Sequence, residues 1–162
     1  MNHHYTRILT SKAISPISYK LIFNMLYRSL LSLSCLVFSV AAEQVFLSNC
    51  QYTSNGQLHS AFFYYADGDP SGTEFPTADN QACVEGFGCS DVVTWEGTVR
   101  SGNFPSGERF TSNINAGAQN LATGQYAGQG ENRERFFNCY KDNNRQLFGG
   151  NGNICRSVYY CL

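Results

Sequence analysis

The feature that most constrains this chain is a set of six cysteines between residues 50 and 161. They are Cys50, Cys83, Cys89, Cys139, Cys155 and Cys161. An even set of cysteines in a small domain predicts three disulfides and an oxidising environment. A zinc site is the competing interpretation. It is disfavoured because this part of the chain has no C-x-x-C pair and only one histidine, His59.

Strand geometry reduces the number of cysteine pairings. Cys155 and Cys161 are six residues apart in a predicted strand, so their Cα atoms would lie roughly 20 Å apart. A disulfide requires a Cα separation of roughly 4.4–6.8 Å. Cys83 and Cys89 have the same separation in sequence, but two glycines between them allow the segment to curl. We therefore predict a Cys83–Cys89 disulfide and exclude a Cys155–Cys161 disulfide.

The other four cysteines are assigned from their positions relative to the predicted turns. Cys139 and Cys155 flank a turn-rich segment that predicts a hairpin, which would bring them face to face. Cys50 would then pair with Cys161 and tie the first predicted strand to the end of the chain. The predicted framework is completed by the Cys139–Cys155 and Cys50–Cys161 disulfides.

An uncharged run of apolar and small residues, 29–40, follows Arg28 and precedes Ala41 and Ala42. The run is too short for a membrane-spanning helix, which takes roughly 20 residues. It fits the apolar region of a secretory signal peptide. We predict cleavage after Ala42 and a single mature domain, residues 43–162. The alternative is a membrane-anchored protein with a short cytoplasmic tail.

The predicted leader, residues 1–42, is longer than the roughly 15–30 residues of a usual signal peptide. A start at Met25 would give a leader of ordinary length, residues 25–42. Residues 1–24 are therefore interpreted either as part of an unusually long leader or as an over-extension of the gene model.

The charge of the predicted mature domain argues against two classes of partner. Residues 43–162 contain all 12 acidic side chains and seven of the 11 basic ones, which gives a net charge of −5. Such a domain has no general attraction to nucleic acids or to anionic membranes. We expect a monomer that needs no cofactor and binds a host or other extracellular macromolecule.

Composition and turn spacing predict a mainly β fold. Gly, Asn, Ser, Thr, Tyr and Phe are common in the mature domain, and strong helix formers are scarce. The predicted strands are residues 45–50, 60–65, 92–99, 108–114, 125–128, 135–141 and 154–160. Short strands separated by turn clusters favour a small antiparallel β-sandwich or barrel stapled by three disulfides. One weak helical pattern covers residues 115–121.

The aromatic residues predict the core. Large rings are expected to fill the interior of a small domain, where each buries about 150–250 Å². The predicted core rings are Phe46, Phe62, Tyr64, Trp95, Phe110, Phe136 and Tyr140. Because neighbouring residues of a strand point to opposite faces, the aromatic runs at 62–65 and 159–160 also predict outward rings. These either pack in a second layer or form an exposed contact surface.

His59 is the only histidine available for catalysis in the mature domain, and no G-x-S-x-G motif accompanies it. Small fungal guanyl-specific ribonucleases resemble the chain in size, disulfide bonding and richness in Tyr, Gly, Asn and Ser. Their chemistry uses a carboxylate base, a general acid and an arginine. In this chain Glu96, His59 and Arg109 are the candidates for these roles, although the second histidine of that family is missing.

Asp67, Asp69 and Ser71 occupy alternate positions before Gly72, which matches the first half of a calcium-binding loop. The twelfth position of such a loop, where a bidentate Glu is expected, is Ala78. The pattern therefore favours an ordinary acidic turn, with a calcium site as the alternative.

Five short motifs carry a resemblance to a known group of proteins. They are VFLSNC at 45–50, WEG at 95–97, SGxxF at 106–110, GQYAGQGEN at 124–132 and FFNCYKD at 136–142. Together they look like the small secreted cysteine-containing proteins of filamentous ascomycete fungi. Many of these in plant-associated fungi are treated as candidate effectors that bind host molecules or suppress defence. The resemblance thus implies a virulence effector on a plant host, and it implies no catalytic residues.

The sequence predicts a non-enzymatic, secreted, extracellular protein that acts by binding. One alternative is a secreted ribonuclease-like hydrolase or its catalytically inactive relative. Another is a structural protein of the cell wall or surface. A ribonuclease requires His59 and Glu96 to share a cleft with Arg109, whereas a surface coat requires a large exposed apolar patch.

Overall fold

The structure is a computed structural model that describes residues 43–70, 72 and 75–162. The predicted leader, with its signal peptide at residues 25–42, lies outside the described residues. So does Ser71 of the predicted calcium loop. The described residues belong to one compact unit.

Nine strands and two short 3-10 turns make up the regular structure of the described residues. The strands are β1 (Gln44–Tyr52), β2 (Leu58–Tyr65), β3 (Gln81–Cys83), β4 (Val99–Asn103), β5 (Arg109–Ile114), β6 (Tyr126–Glu131), β7 (Phe136–Lys141), β8 (Gln146–Gly150) and β9 (Asn153–Cys161). The 3-10 turns cover Ala78–Asn80 and Ala118–Asn120. The second turn is all that forms of the helical pattern at 115–121.

The strands form one antiparallel sheet in the order β3-β2-β1-β9-β7-β6-β5-β4, and β8 pairs with the first half of β9. The two outer strands approach each other, and just beyond β3 the Glu85 backbone N–H donates to the Ser101 carbonyl at 2.8 Å. The sheet is therefore a nearly closed barrel. The prediction of a mainly β, antiparallel, disulfide-stapled fold is confirmed.

Six of the seven predicted strands overlap observed ones, but residues 92–99 do not form a strand before Val99. Their backbone groups bond outside the ladder. The Val93 N–H donates to the Ser60 hydroxyl at 3.1 Å, and the Gly97 N–H donates to the Ile114 carbonyl at 2.8 Å. The segment thus crosses the end of the barrel irregularly. Strands β3 and β8 and most of β4 are not predicted, because they are short and contain polar or glycine residues.

The inner face of the barrel holds a chain of aromatic rings in edge-to-face contact. Trp95 contacts Phe62, Phe62 contacts Phe110, and Phe110 contacts Phe137, with ring centroids 5.1, 5.7 and 5.4 Å apart. None of the four residues is more than 2% exposed. We call these four rings the aromatic chain. It runs through the larger of the two hydrophobic clusters.

Two glycines make room for the aromatic chain. A Cβ atom on Gly130 would lie 2.4 Å from Cζ of Phe110, and one on Gly102 would lie 2.7 Å from Cδ2 of Phe62. Both separations are shorter than real Cβ contacts. Each ring therefore packs directly against the backbone of another strand, which only glycine permits.

A second hydrophobic cluster lies on the outer face of β1, β2 and β9. Phe63 and Tyr65 point away from the barrel interior and are buried here, and Phe148 of β8 contacts Phe63 with ring centroids 5.0 Å apart. Phe75 packs against Phe148 at 4.7 Å. Rings that turn away from the inner core thus meet a second layer, which was one of the two predicted arrangements.

Most of the predicted core rings are buried, but Phe136 is a wrong prediction. Phe46, Phe62, Trp95 and Phe110 are buried, whereas Tyr64 and Tyr140 are half-buried. Phe136 is 75% exposed, and its neighbour Phe137 takes the interior position. The register explains the error. Phe137 lies opposite Gly130 on the inner face, and a shift of one residue turns a side chain to the other face.

The structure contains the disulfides Cys50–Cys155, Cys83–Cys89 and Cys139–Cys161. The predicted Cys83–Cys89 disulfide is confirmed. Its Cα atoms are 5.0 Å apart across a tight loop.

The predicted Cys139–Cys155 and Cys50–Cys161 disulfides are wrong. Strand β9 pairs with β1 along its whole length on one side, and with β8 and then β7 on the other side. Cys155 lies directly opposite Cys50 on β1, and Cys161 lies directly opposite Cys139 on β7. The predicted hairpin that would place Cys139 opposite Cys155 does not form, because β8 pairs with the first half of β9.

The two cross-strand disulfides should differ in their contribution to stability. Cys50–Cys155 closes a loop of 105 residues and Cys139–Cys161 one of 22. We expect Cys50→Ala/Cys155→Ala to lower the free energy of unfolding by about 4–5 kcal/mol and Cys139→Ala/Cys161→Ala by about 3 kcal/mol. Denaturant unfolding of both variants measures the difference. Recovery of a peptide joining Cys139 to Cys155 under non-reducing conditions would contradict the framework.

Adjacent phenylalanines provide a matched test of the register of β7. Phe137→Ala removes a ring of the aromatic chain and should cost about 3–5 kcal/mol of unfolding free energy. Phe136→Ala should change it by no more than about 0.5 kcal/mol, because that side chain is on the surface. Urea unfolding of the two variants gives both values. Equal losses would show that the register is wrong.

Candidate binding site at the barrel mouth

One end of the barrel is open and forms a cleft of about 310 Å³, which we call the barrel mouth. It lies where β1 and β7 begin, where β2 ends, and between the turns that join β4 to β5 and β6 to β7. The floor residues are Val45, Phe104, Phe110 and Phe137, and the rim residues are Glu43, Tyr64, Asn80, Ser106, Glu108, Arg109, Asn132 and Glu134. An apolar concavity with a polar rim at the mouth of a β-barrel is a typical ligand site.

The floor of the mouth is the end of the aromatic chain. Phe110 and Phe137 reach it from inside the barrel as inward residues of β5 and β7. Phe104 is added by the turn between β4 and β5, where its N–H donates to the Glu108 carbonyl at 2.8 Å and its carbonyl accepts from the Gly107 N–H at 2.9 Å. Gly107 has a φ of 94°, which side chains disfavour. The floor is therefore held by packing and by a closed turn.

One side of the rim is a network around Glu43. The Tyr64 hydroxyl donates to Glu43 Oε2 at 3.2 Å, and Arg135 Nη2 lies 3.0 Å from Glu43 Oε1. The Arg135 guanidinium also lies 4.3 Å from the ring centroid of Phe137. Burial and, after it, the Glu43 carboxylate raise the pKa of the Tyr64 hydroxyl above its usual value. Tyr64 therefore remains a donor to Glu43.

The rest of the rim carries one paired arginine and two unpaired carboxylates. Arg109 is bidentate to Glu85, with Nη2–Oε2 and Nη1–Oε1 distances of 2.5 and 3.2 Å. Within the described part of the chain, the carboxylates of Glu108 and Glu134 take part in neither an ion pair nor a hydrogen bond. The rim thus offers two carboxylates that form no ion pair.

The predicted ribonuclease residues lie in three different surroundings. His59 begins β2 and points to its outer face, opposite Cys50 of the outer cluster. Tyr64, five residues along β2, lines the mouth beside Arg109. About 16 Å of strand therefore separates His59 from that end of the barrel. Glu96 accepts a hydrogen bond from the hydroxyl of Tyr159 in the inner core.

His59 is held in a small cavity of its own. Its ring stacks on Tyr52 with centroids 4.4 Å apart, and it is 4% exposed. The cavity, of about 100 Å³, is also lined by Asn153. Among the described residues, His59 Nδ1 and Asn153 Oδ1 have no hydrogen-bond partner. Burial lowers the pKa of His59 below its usual value, so the ring is neutral at pH 7.

Of the predicted calcium residues, Asp69 forms an ion pair with an arginine. Asp69 Oδ1 lies 2.5 Å from Arg145 Nη2, and Arg145 Nε lies 3.1 Å from Asp142 Oδ2. The guanidinium already occupies the Asp69 oxygen and would repel a cation there. Of the residues that the structure describes, no three acidic, histidine or cysteine side chains are grouped to hold a metal ion. Asp67 and Asp69 thus belong to an acidic turn closed by Arg145.

Tyr140, a predicted core ring, instead stands on the outer face of the sheet. It stacks on Tyr160 with centroids 5.6 Å apart and contacts Tyr126 edge-to-face at 6.2 Å. Phe136 projects from another part of the outer face, beside Val99 and a shallow depression of about 180 Å³. The exposed rings Tyr126 and Phe136 thus lie outside the two aromatic runs for which outward rings are predicted.

The mouth itself is not predicted from the sequence. Its residues come from five separate segments, and none of them forms a motif. The available signal was indirect, because Phe104, Ser106 and Glu108 lie in a Gly- and Pro-containing turn next to a strand. Such turns often carry binding residues. Only closure of the barrel shows that this turn meets the start of β1 and β7.

Comparison of the chain with protein-family models, with curated proteins and with solved structures gives no match. No helix in the described ranges is long and apolar enough to cross a membrane. Fold and site define a nearly closed antiparallel β-barrel with three disulfides and one open, aromatic-floored end.

The buried His59 should make stability fall in mild acid. In the unfolded chain His59 takes up a proton near pH 6.5, whereas the folded protein resists protonation until lower pH. Lowering the pH from 7.5 to 5.5 therefore favours unfolding. We expect His59→Gln to lose less unfolding free energy than wild type over this interval in urea titrations. An identical pH dependence in the two proteins would contradict a buried neutral His59.

Proposed function

We propose that this protein is secreted and acts outside the cell by binding, without catalysing a reaction, and that the barrel mouth is its binding site. The role of a virulence effector on a plant host, which the sequence resemblance implies, is part of this proposal. Three disulfides and a small β fold are compatible with an extracellular protein.

The observation that carries the proposal is the barrel mouth. It is a concavity of about 310 Å³ with rings at its floor and polar groups at its rim. Ligand sites of about 300–1,000 Å³ usually combine these properties. The mouth is also preformed. Phe110 and Phe137 belong to the aromatic chain, so these two side chains of the floor do not have to be ordered when a ligand binds.

The placement of the ribonuclease candidates supports binding over catalysis. A general acid and base must lie within hydrogen-bond reach of one substrate. His59 is on the outer face near one end of the barrel, and Arg109 is at the opposite end in a bidentate pair with Glu85. Glu96 bonds to the hydroxyl of Tyr159. These three side chains have no common position for a phosphate.

A neutral aromatic probe tests the mouth. We expect 2-phenylethanol to bind the purified, oxidised protein with a dissociation constant on the order of 1 mM. In ¹⁵N-detected NMR titrations, the amide signals of Phe104, Phe110 and Phe137 should shift most.

Two variants control this experiment. Ser106→Trp places a large side chain over the mouth and should abolish binding, because Ser106 lines the rim and is exposed. Thr123→Trp adds the same side chain in an exposed turn elsewhere and should leave binding unchanged. Absence of shifts at the mouth, or equal binding by both variants, would refute the proposed site.

A further inference from the structure

We infer that the barrel mouth selects ligands that carry a cation, an ammonium or guanidinium group on an apolar stem. This inference rests on the proposed function, since it names the chemical class of ligand for the same site. It is carried by the combination of an aromatic floor, two unpaired rim carboxylates and a guanidinium already held by Glu43 and Phe137 at the edge of the mouth.

The charged side chains around the mouth do not all have an ion-pair partner. Glu43 is offset by Arg135, and Arg109 is offset by Glu85. Glu108 and Glu134 remain, and they come from the two turns on either side of the cleft. A neutral ligand would place an apolar group beside these carboxylates and would leave both of them without an ion-pair partner. An anionic ligand would be repelled. A cation at the rim would be attracted by both carboxylates.

The floor of the mouth is apolar. Phe104, Phe110 and Phe137 line the bottom of the cleft, where Phe104 is 7% exposed and the other two are 2% exposed. An aliphatic or aromatic stem would contact the small part of each ring that is open to the cleft. A ligand with a stem and a charged end therefore matches the mouth in depth, because the stem meets the rings and the charged end meets the carboxylates. Lysine and arginine side chains have this construction, as do small organic amines.

A guanidinium of the chain itself is bound at the edge of the mouth. Arg135 lies 3.0 Å from a Glu43 carboxylate oxygen and 4.3 Å from the Phe137 ring centroid. It therefore makes at the edge of the mouth both contacts that we assign to the ligand, a carboxylate pair and a cation–π contact. Glu108 and Glu134 provide two further carboxylates above the same floor, where a cation on a ligand could form a similar pair.

The test compares cationic probes with neutral probes of nearly the same size and shape. Phenethylammonium is matched with neutral 2-phenylethanol, and N-acetyl-argininamide is matched with neutral N-acetyl-citrullinamide. We expect the cation of at least one pair to bind roughly tenfold more tightly than its neutral partner at low salt. The preference should shrink in 1 M NaCl because the mouth is open to solvent. The pair with the larger preference shows whether a free amine or an arginine side chain is the better source of the cation.

Two double variants show which carboxylates are responsible. Glu108→Gln/Glu134→Gln should reduce the preference to less than twofold while leaving 2-phenylethanol binding intact. Asp91→Asn/Glu131→Gln changes the net charge by the same amount at exposed positions that do not line the mouth. This control should retain the preference.

The outcomes separate the two proposals. If 2-phenylethanol binds at the mouth and neither cation exceeds its neutral partner by more than twofold, the inference is overturned and the proposed function stands. It is also overturned if both double variants lose the preference equally, since net charge would then explain it. If no probe shifts the amides of the mouth, the proposed site and the inference both fail.

Discussion

The structure depends on the packing of the aromatic chain against glycine backbone inside the barrel. Four rings from three strands and one irregular segment fill the interior, and two of them lie where a neighbouring residue has no Cβ. Gly102 and Gly130 therefore matter as much to the core as Phe62 and Phe110. An alanine at either glycine would force the ring away from the sheet and open the interior that the other residues enclose.

Both cross-strand disulfides link β9 to another strand of the barrel. Strand β9 has β1 on one side and β7 and β8 on the other, and one disulfide joins it to each side. Cys139–Cys161 lies in the inner cluster, whereas Cys50–Cys155 lies in the outer one. The two hydrophobic layers are therefore tied to the same central strand. In a domain of this size, such covalent links supplement a limited core.

The properties of the barrel mouth follow from this architecture. The aromatic chain ends at the open end of the barrel, so the floor of the cleft is as rigid as the core. The rim consists of turns, where charged side chains need no partner to be tolerated. Glu108 and Glu134 can therefore remain unpaired, while Glu43 and Arg109 are used to hold neighbouring segments together. An apolar floor beneath two unpaired carboxylates is the basis of the proposed selectivity.

The sequence by itself determined the mainly β class, most strand positions and the local Cys83–Cys89 disulfide, because composition, alternation and a short glycine-containing loop act over a few residues. Only the tertiary structure decided that Phe137 rather than Phe136 enters the core, and that Cys50 meets Cys155. Both depend on which strands are neighbours and in which register, and these are contacts between residues far apart in the chain. The mouth has the same origin. Glu108, Glu134 and Phe104 become one site only when the sheet closes, and no local pattern encodes that closure.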